Sequence, residues 1–101
     1  MINKNDLIYL AGSSGLVGSA TKKCLIKNGY INILEIQHYK YDLRNQNIVN
    51  EIFNNNNIKY VIDAAALVGG ILANSTYPYN FIYDNITIQT NIINAAKEHN
   101  I

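Results

Sequence analysis

Three glycines spaced three residues apart, Gly12, Gly15 and Gly18, follow an apolar run and precede a helix-compatible segment. The first backbone N–H groups of a helix have no internal acceptor and carry partial positive charge. Glycine has no Cβ atom, so a phosphate can approach those groups closely. We therefore predict a dinucleotide-binding turn, although a βα turn without a ligand also uses glycine. The predicted contacts of the diphosphate are Gly12, Ser13, Ser14, Gly15, Leu16, Val17 and Gly18.

The elements that would position this turn alternate between strand and helix. Alternation of this kind predicts an α/β fold, a Rossmann-like doubly wound parallel sheet with right-handed crossovers. Because three strands would cover the long apolar last helix poorly, we interpret residues 1–101 as one partial domain, the N-terminal part of a longer fold. The predicted strands are 6–11, 31–36 and 60–65, and the predicted helices are 15–27, 44–54 and 80–98.

Composition limits the classes of protein that remain. The chain is 49% hydrophobic and 15% charged with a net charge of +1, which gives no sign of a nucleic-acid partner. Its single cysteine, Cys24, excludes an internal disulfide and a metal-binding cysteine motif, and we expect it in the core. No stretch has the ~20 apolar residues of a membrane span, and no signal peptide is visible. These features predict a cytoplasmic protein without a membrane partner.

Two further loops should meet the glycine turn where the strands end, because ligands bind there in such sheets. Near the end of the second strand, Glu35 favours NAD, since an acidic residue pairs with the ribose 2′-hydroxyl. His38 and Lys40 favour NADP, since a basic residue accommodates a 2′-phosphate. The small residues 64–66 follow the third strand, where they would let a cofactor lie flat or simply pack beneath a helix.

The sequence resembles the extended short-chain dehydrogenase/reductases in the GxxGxxG spacing of residues 12–18 and in the pair Asp42-Leu43. A longer string, AAALVGGILAN at residues 64–74, is similar to the GDP-L-fucose synthases within that superfamily. Members of this family are epimerase/reductases that convert GDP-4-dehydro-6-deoxy-D-mannose to GDP-L-fucose with NADPH. The resemblance extends over the whole chain and covers about the first third of the family's length.

The resemblance implies NADP as the cofactor, with NAD as the alternative. It implies that the diphosphate lies on the glycine turn, where Ser14 replaces an arginine of some bacterial members. It places His38 where members can carry an arginine for the 2′-phosphate, and it places Asp42 and Leu43 beside the adenine. It further implies a nucleotide-sugar substrate in a complete enzyme, and a homodimer whose helix bundle includes residues 80–98. The residues implied along the adenine ribose and diphosphate are Ala64, Ala65 and Ala66.

The family's catalytic Tyr-x-x-x-Lys motif does not occur in these 101 residues. Without a tyrosine to donate a proton and a lysine to lower its pKa, hydride transfer lacks an acid. We therefore predict no catalytic residue here and no turnover by this chain alone. Two alternatives stay open: part of another NAD(P)-dependent nucleotide-sugar epimerase or dehydratase, or a non-catalytic nucleotide-binding module or gene remnant.

Overall fold

Strands and helices alternate along the chain in the computed structural model, which describes residues 2–37, 40–65 and 78–101. The sheet has three parallel strands in the order β2-β1-β3, which confirms the predicted α/β, Rossmann-like class. The strands are β1 (Leu7–Ala11), β2 (Ile33–Leu34) and β3 (Ile58–Asp63), and the helices are α1 (Leu16–Lys27), α2 (Gln46–Asn54) and α3 (Pro78–Glu98).

Strand boundaries differ from the prediction in all three strands, and β1 begins one residue later than predicted, at Leu7. β2 has only two residues because its pairing with β1 is limited to Ile8–Ile33 and Tyr9–Leu34. The apolar Ile31, predicted to begin this strand, is 75% exposed instead. β3 begins two residues earlier than predicted, at the buried Ile58, and ends at Asp63.

The hydrophobic core lies on the side of the sheet covered by α2 and α3. Alternation of side chains along β1 places Tyr9 in this core, with its ring edge-to-face on Phe53 at a centroid distance of 5.8 Å. The Asn45 side chain caps α2 by accepting from the backbone N–H groups of Asn47 and Ile48. The buried residues of α2 are Val49, Ile52 and Phe53, and the partly buried Ile48 packs against the same core.

Helix α3 buries one face, formed by Ile88, Asn91, Ile92 and Ala95, against this core. Its opposite face remains apolar and exposed. The large exposed residues of this opposite face are Tyr79, Ile82, Tyr83, Ile86 and Ile93.

None of the helices in the described residues is long and apolar enough to cross a membrane.

The helical spacing of the apolar residues in α1 predicts that Leu16 and Val17, like Cys24, face the core, and the structure corrects this. Leu16 is 90% exposed and Val17 is 67% exposed, and Cys24, expected in the core, is also exposed. Gly18 is the buried residue of this helix, so the face that contacts the sheet continues through Leu25, seven residues on. Cys24 lies about 120° around the helix from Gly18, which turns its side chain away from the sheet.

Candidate functional site

The glycine turn lies where the strand order of the sheet reverses. β2 pairs with one edge of β1 and β3 pairs with the other, so the carboxyl ends of β1 and β3 lie side by side. Ala11 is in register with Asp63, and the Ala64 N–H donates to the Ala11 carbonyl at 2.9 Å. Ligands of open α/β sheets bind in the crevice at such a reversal. The topology therefore places the turn where a dinucleotide would bind.

Two of the three glycines are required by contacts within the chain. Gly12 has a φ of +79°, and a Cβ atom on it would stand 2.4 Å from the Ala64 carbonyl oxygen. A Cβ atom on Gly18 would stand 1.8 Å from the Gly12 carbonyl oxygen. Gly15 differs, because its Cβ atom would meet the Gly12 oxygen at 3.5 Å, an ordinary contact. The chain itself has room for a side chain at Gly15, so a glycine there keeps space open beside the start of α1.

The N-terminus of α1 is open to an anion. Its N-cap residue is Gly15, which has no side chain to accept from the first N–H groups, and the first turn has no acidic residue. The next residues, Leu16 and Val17, are strongly exposed apolar side chains beside the same opening. Free N–H groups and the helix dipole together favour a bound phosphate at this place.

An ion pair borders the turn on the side of β2. Lys22 Nζ lies 2.8 Å from Glu35 Oε2. The hydrogen bond from Lys22 is the main reason that the pKa of Glu35 lies below its usual value. Ser13, predicted to contact the diphosphate, also helps to lower the pKa of Glu35, and Ser14 is exposed on the turn. Lys22 was not predicted to belong to this site.

The predicted adenine-binding pair, Asp42 and Leu43, is held from two directions. The Arg44 guanidinium donates to Asp42 from Nε at 2.9 Å and from Nη2 at 2.8 Å, which holds the pKa of that carboxyl below its usual range. Arg44 Nη1 also lies 3.4 Å from an oxygen of Asp84 in α3. Leu43 is buried, and its carbonyl accepts from the Asn91 side chain at 3.0 Å. Arg44 was not predicted to belong to the site either.

The small residues after β3 have different surroundings. Ala65 is buried in the core, and its carbonyl accepts from Gln89 Nε2 of α3 at 2.6 Å. Ala64 lies against Gly12 in the glycine turn, as the blocked Cβ position of Gly12 shows. Burial raises the pKa of the Asp63 carboxyl, although the Ala65 N–H donates to it at 3.0 Å. His38, Ala66 and residues 67–74 of the family-like string lie outside the described residues.

Comparison with known proteins agrees with this arrangement. The chain is 46% identical to GDP-L-fucose synthase 1 of Arabidopsis thaliana over 101 residues, which are 100% of this chain and 31% of that protein. It superposes with a TM-score of 0.96 on the solved structure named DdhaC, at 46% identity, covering 100% of this chain and 29% of that one. The TM-score is 0.93, at 34% identity, for MlghC, a GDP-mannoheptose C4 reductase from Campylobacter jejuni with NADP bound.

The MlghC match covers 100% of this chain and 32% of that one, so the present chain spans about a third of the length of these relatives. The sequence pattern that describes the NAD dependent epimerase/dehydratase family matches residues 8–101, which include the glycine turn and all six described elements apart from Leu7. The chain belongs to the NAD dependent epimerase/dehydratase family.

Proposed function

We propose that this chain binds NADP(H) as the cofactor-binding part of an epimerase/reductase that acts on a GDP-linked sugar. The observation that carries the proposal is the geometry at Gly15, where the chain leaves space for a ligand beside the uncapped start of α1. The similarity to GDP-L-fucose synthase 1, and to a reductase with NADP bound, supports the substrate class and the cofactor. The proposed overall reaction is the conversion of GDP-4-dehydro-6-deoxy-D-mannose to GDP-L-fucose.

In this proposal the residues of the chain position the cofactor and leave the chemistry to other groups. The N–H groups at the start of α1 bind the diphosphate, and the side chain of Asp42, fixed by Arg44, lies beside the adenine. The nicotinamide supplies the hydride when the cofactor is bound. The proposed contacts are Gly12, Ser13, Ser14, Gly15, Leu16, Val17, Gly18, His38, Asp42, Leu43, Ala64, Ala65 and Ala66.

The proposed role excludes turnover by this chain alone. No tyrosine in the sequence is followed by a lysine four residues later, so the chain has no Tyr-x-x-x-Lys acid for hydride transfer. We further propose that residues 1–101 act as one partial cofactor-binding domain. The exposed apolar face of α3 is the proposed dimer surface, because a face with Ile82 and Ile86 each 60% exposed is unusual for a monomer.

An NAD-dependent nucleotide-sugar epimerase or dehydratase is the second candidate. One observation favours it: Glu35 directly follows β2, where a carboxylate pairs with the hydroxyl groups of an unphosphorylated adenosine ribose. Titration with NADPH and with NADH separates the two candidates by the cofactor that binds more tightly.

Calorimetric titration of the 101-residue chain with NADPH tests the binding proposal through Gly15→Val. Gly15 has ordinary extended dihedral angles and room for a Cβ atom, so we expect the variant to fold. The added methyl groups occupy the phosphate space, and we expect binding at least about tenfold weaker. Ala20→Val introduces the same side chain at an exposed position in α1 and should bind normally. Equal affinity in both variants and the original chain would refute the proposal.

A further inference from the structure

Glu35 lies beside the glycine turn, directly after the end of β2. It follows Leu34, which pairs with Tyr9 in the middle of β1, and Ser13 of the turn helps to lower the pKa of its carboxylate. At this place an acidic residue selects the ribose hydroxyl groups of an unphosphorylated dinucleotide. A 2′-phosphate brought to a lone carboxylate would be repelled, because the two groups have the same sign of charge.

Lys22 changes the charge of this place. Its ammonium group lies 2.8 Å from the Glu35 carboxylate, and each of the two side chains is 38% exposed, so a ligand can reach both. The pair has no net charge, and an ammonium group has three N–H donors, so donors remain after the contact with Glu35. Lys22 also lies about one helical turn after Gly18 in α1.

We propose that Lys22 is a specificity-determining residue, which lets the chain accept a 2′-phosphorylated dinucleotide by neutralising Glu35 and donating to the phosphate. This inference rests on the proposed function, since it concerns which dinucleotide the glycine turn accepts. It also accounts for an acidic residue after β2 in a chain that resembles a reductase with NADP bound. Without Lys22, the same Glu35 carboxylate selects the unphosphorylated cofactor.

The test is calorimetric titration of the 101-residue chain and its variants with NADPH and, separately, with NADH. In Lys22→Met we expect the affinity for NADPH to fall about tenfold, while that for NADH is unchanged or higher. The matched control is Lys23→Met, which removes the same charge from an exposed residue about 100° further around α1. This control should leave the ratio of the two affinities unchanged.

A second variant identifies Glu35 as the group that Lys22 neutralises. Glu35→Gln alone should raise the NADPH affinity, and Glu35→Gln in the Lys22→Met background should recover most of the lost NADPH affinity. Thermal unfolding should change little in all variants, because exposed ion pairs contribute little stability.

Three outcomes would overturn the inference. Two of them leave the proposed function standing. In the first, Lys22→Met weakens the binding of NADPH and NADH equally, or weakens neither. In the second, the control Lys23→Met changes the ratio of the NADPH and NADH affinities as much as Lys22→Met does. The third is an original chain that binds neither NADPH nor NADH, which refutes the proposed function and this inference with it.

Discussion

Gly18 in α1 lies so close to Gly12 in the preceding turn that a Cβ atom on Gly18 would stand 1.8 Å from the Gly12 carbonyl oxygen. The Gly12 oxygen is a backbone atom, and the backbone also fixes the position of a Cβ atom on Gly18. No side-chain rotation therefore relieves the contact. The contact holds α1 against the end of β1 and fixes which face of the helix is turned to the sheet. Gly12 in turn lies against Ala64, so one line of close contacts joins α1, the turn and the end of β3.

Gly18→Ala should therefore destabilise the fold. Because the helix must move away from the turn to admit the methyl group, we expect the free energy of unfolding to fall by about 3 kcal/mol. Urea unfolding followed by circular dichroism measures this change. Gly15→Ala is the matched control, since its Cβ atom would meet the Gly12 oxygen at 3.5 Å. Equal urea midpoints for the two variants would show that the close contact is not required.

The glycine turn was predictable because strand, glycine spacing and helix follow one another directly in the sequence. The orientation of α1 was not, because the apolar pattern of Leu16, Val17 and Cys24 suggests a different buried face. One backbone contact at Gly18 outweighs that pattern. In the proposed function a bound cofactor contacts Leu16 and Val17. Apolar side chains at the start of such a helix can therefore be covered by a ligand, and they do not reliably indicate which face of the helix lies in the core.

The contact between Asp42 and Arg44 should contribute a small, pH-dependent stability. Hydrogen bonds from Arg44 lower the pKa of Asp42 in the folded state below its ordinary value of 3.8. A lowered folded pKa means that this stability is present above the ordinary value and is lost as the pH falls through the lowered one. Both side chains are about half exposed, so we expect roughly 0.5 kcal/mol at pH 7.

Urea unfolding of Arg44→Met at neutral pH and well below the ordinary pKa of Asp42 measures this contribution. The variant should be slightly less stable than the original chain at neutral pH, and the difference should shrink in acid. Lys40→Met, which removes a positive charge from an exposed residue of the same loop, is the control. A difference that is the same at both pH values would contradict the assignment to Asp42.

Tyr9 contains a buried hydroxyl group without a hydrogen-bond partner in the part of the chain that the structure describes. Its ring is 1% exposed and packs on Phe53, a contact that phenylalanine would keep. Because an unsatisfied buried hydroxyl costs free energy, Tyr9→Phe should raise the free energy of unfolding by about 1 kcal/mol. Tyr83→Phe alters a hydroxyl on a 57% exposed residue and should have little effect.

The same variant should alter unfolding in alkali. Burial, with a further contribution from the Asp63 charge, raises the pKa of Tyr9 to about 12 from its ordinary value of 10.0. A raised folded pKa means that the associated stability is present below the ordinary value and is lost as the pH rises through about 12. Urea midpoints should therefore fall less steeply between these values in Tyr9→Phe. If the urea midpoints of Tyr9→Phe and the original chain fall equally with pH, the loss of stability in alkali comes from other residues.

The side-chain contacts of the site could not be predicted from local sequence. Lys22 in α1 meets Glu35 in the segment after β2, and Arg44 in the segment before α2 meets Asp84 in α3. Only the packing of α1 against the sheet, and of α3 against α2, decides which long side chains meet. The alternation of strand and helix, by contrast, depends on apolar runs and glycines that act locally, so the class of fold was predictable while its ion pairs were not.

The exposed face of α3 should make the chain associate. Ile82 and Ile86 lie one helical turn apart and are each 60% exposed, and the aromatic side chains of Tyr79 and Tyr83 stack beside them. Burial of this face in a second copy would remove apolar surface from water, so we expect species larger than the monomer in sedimentation velocity. Ile82→Lys combined with Ile86→Lys should yield a monomer, because lysines on a buried face would be desolvated. Ile26→Lys, on α1, is the control and should leave association unchanged. A monodisperse monomer in the original chain would exclude this face as a dimer surface.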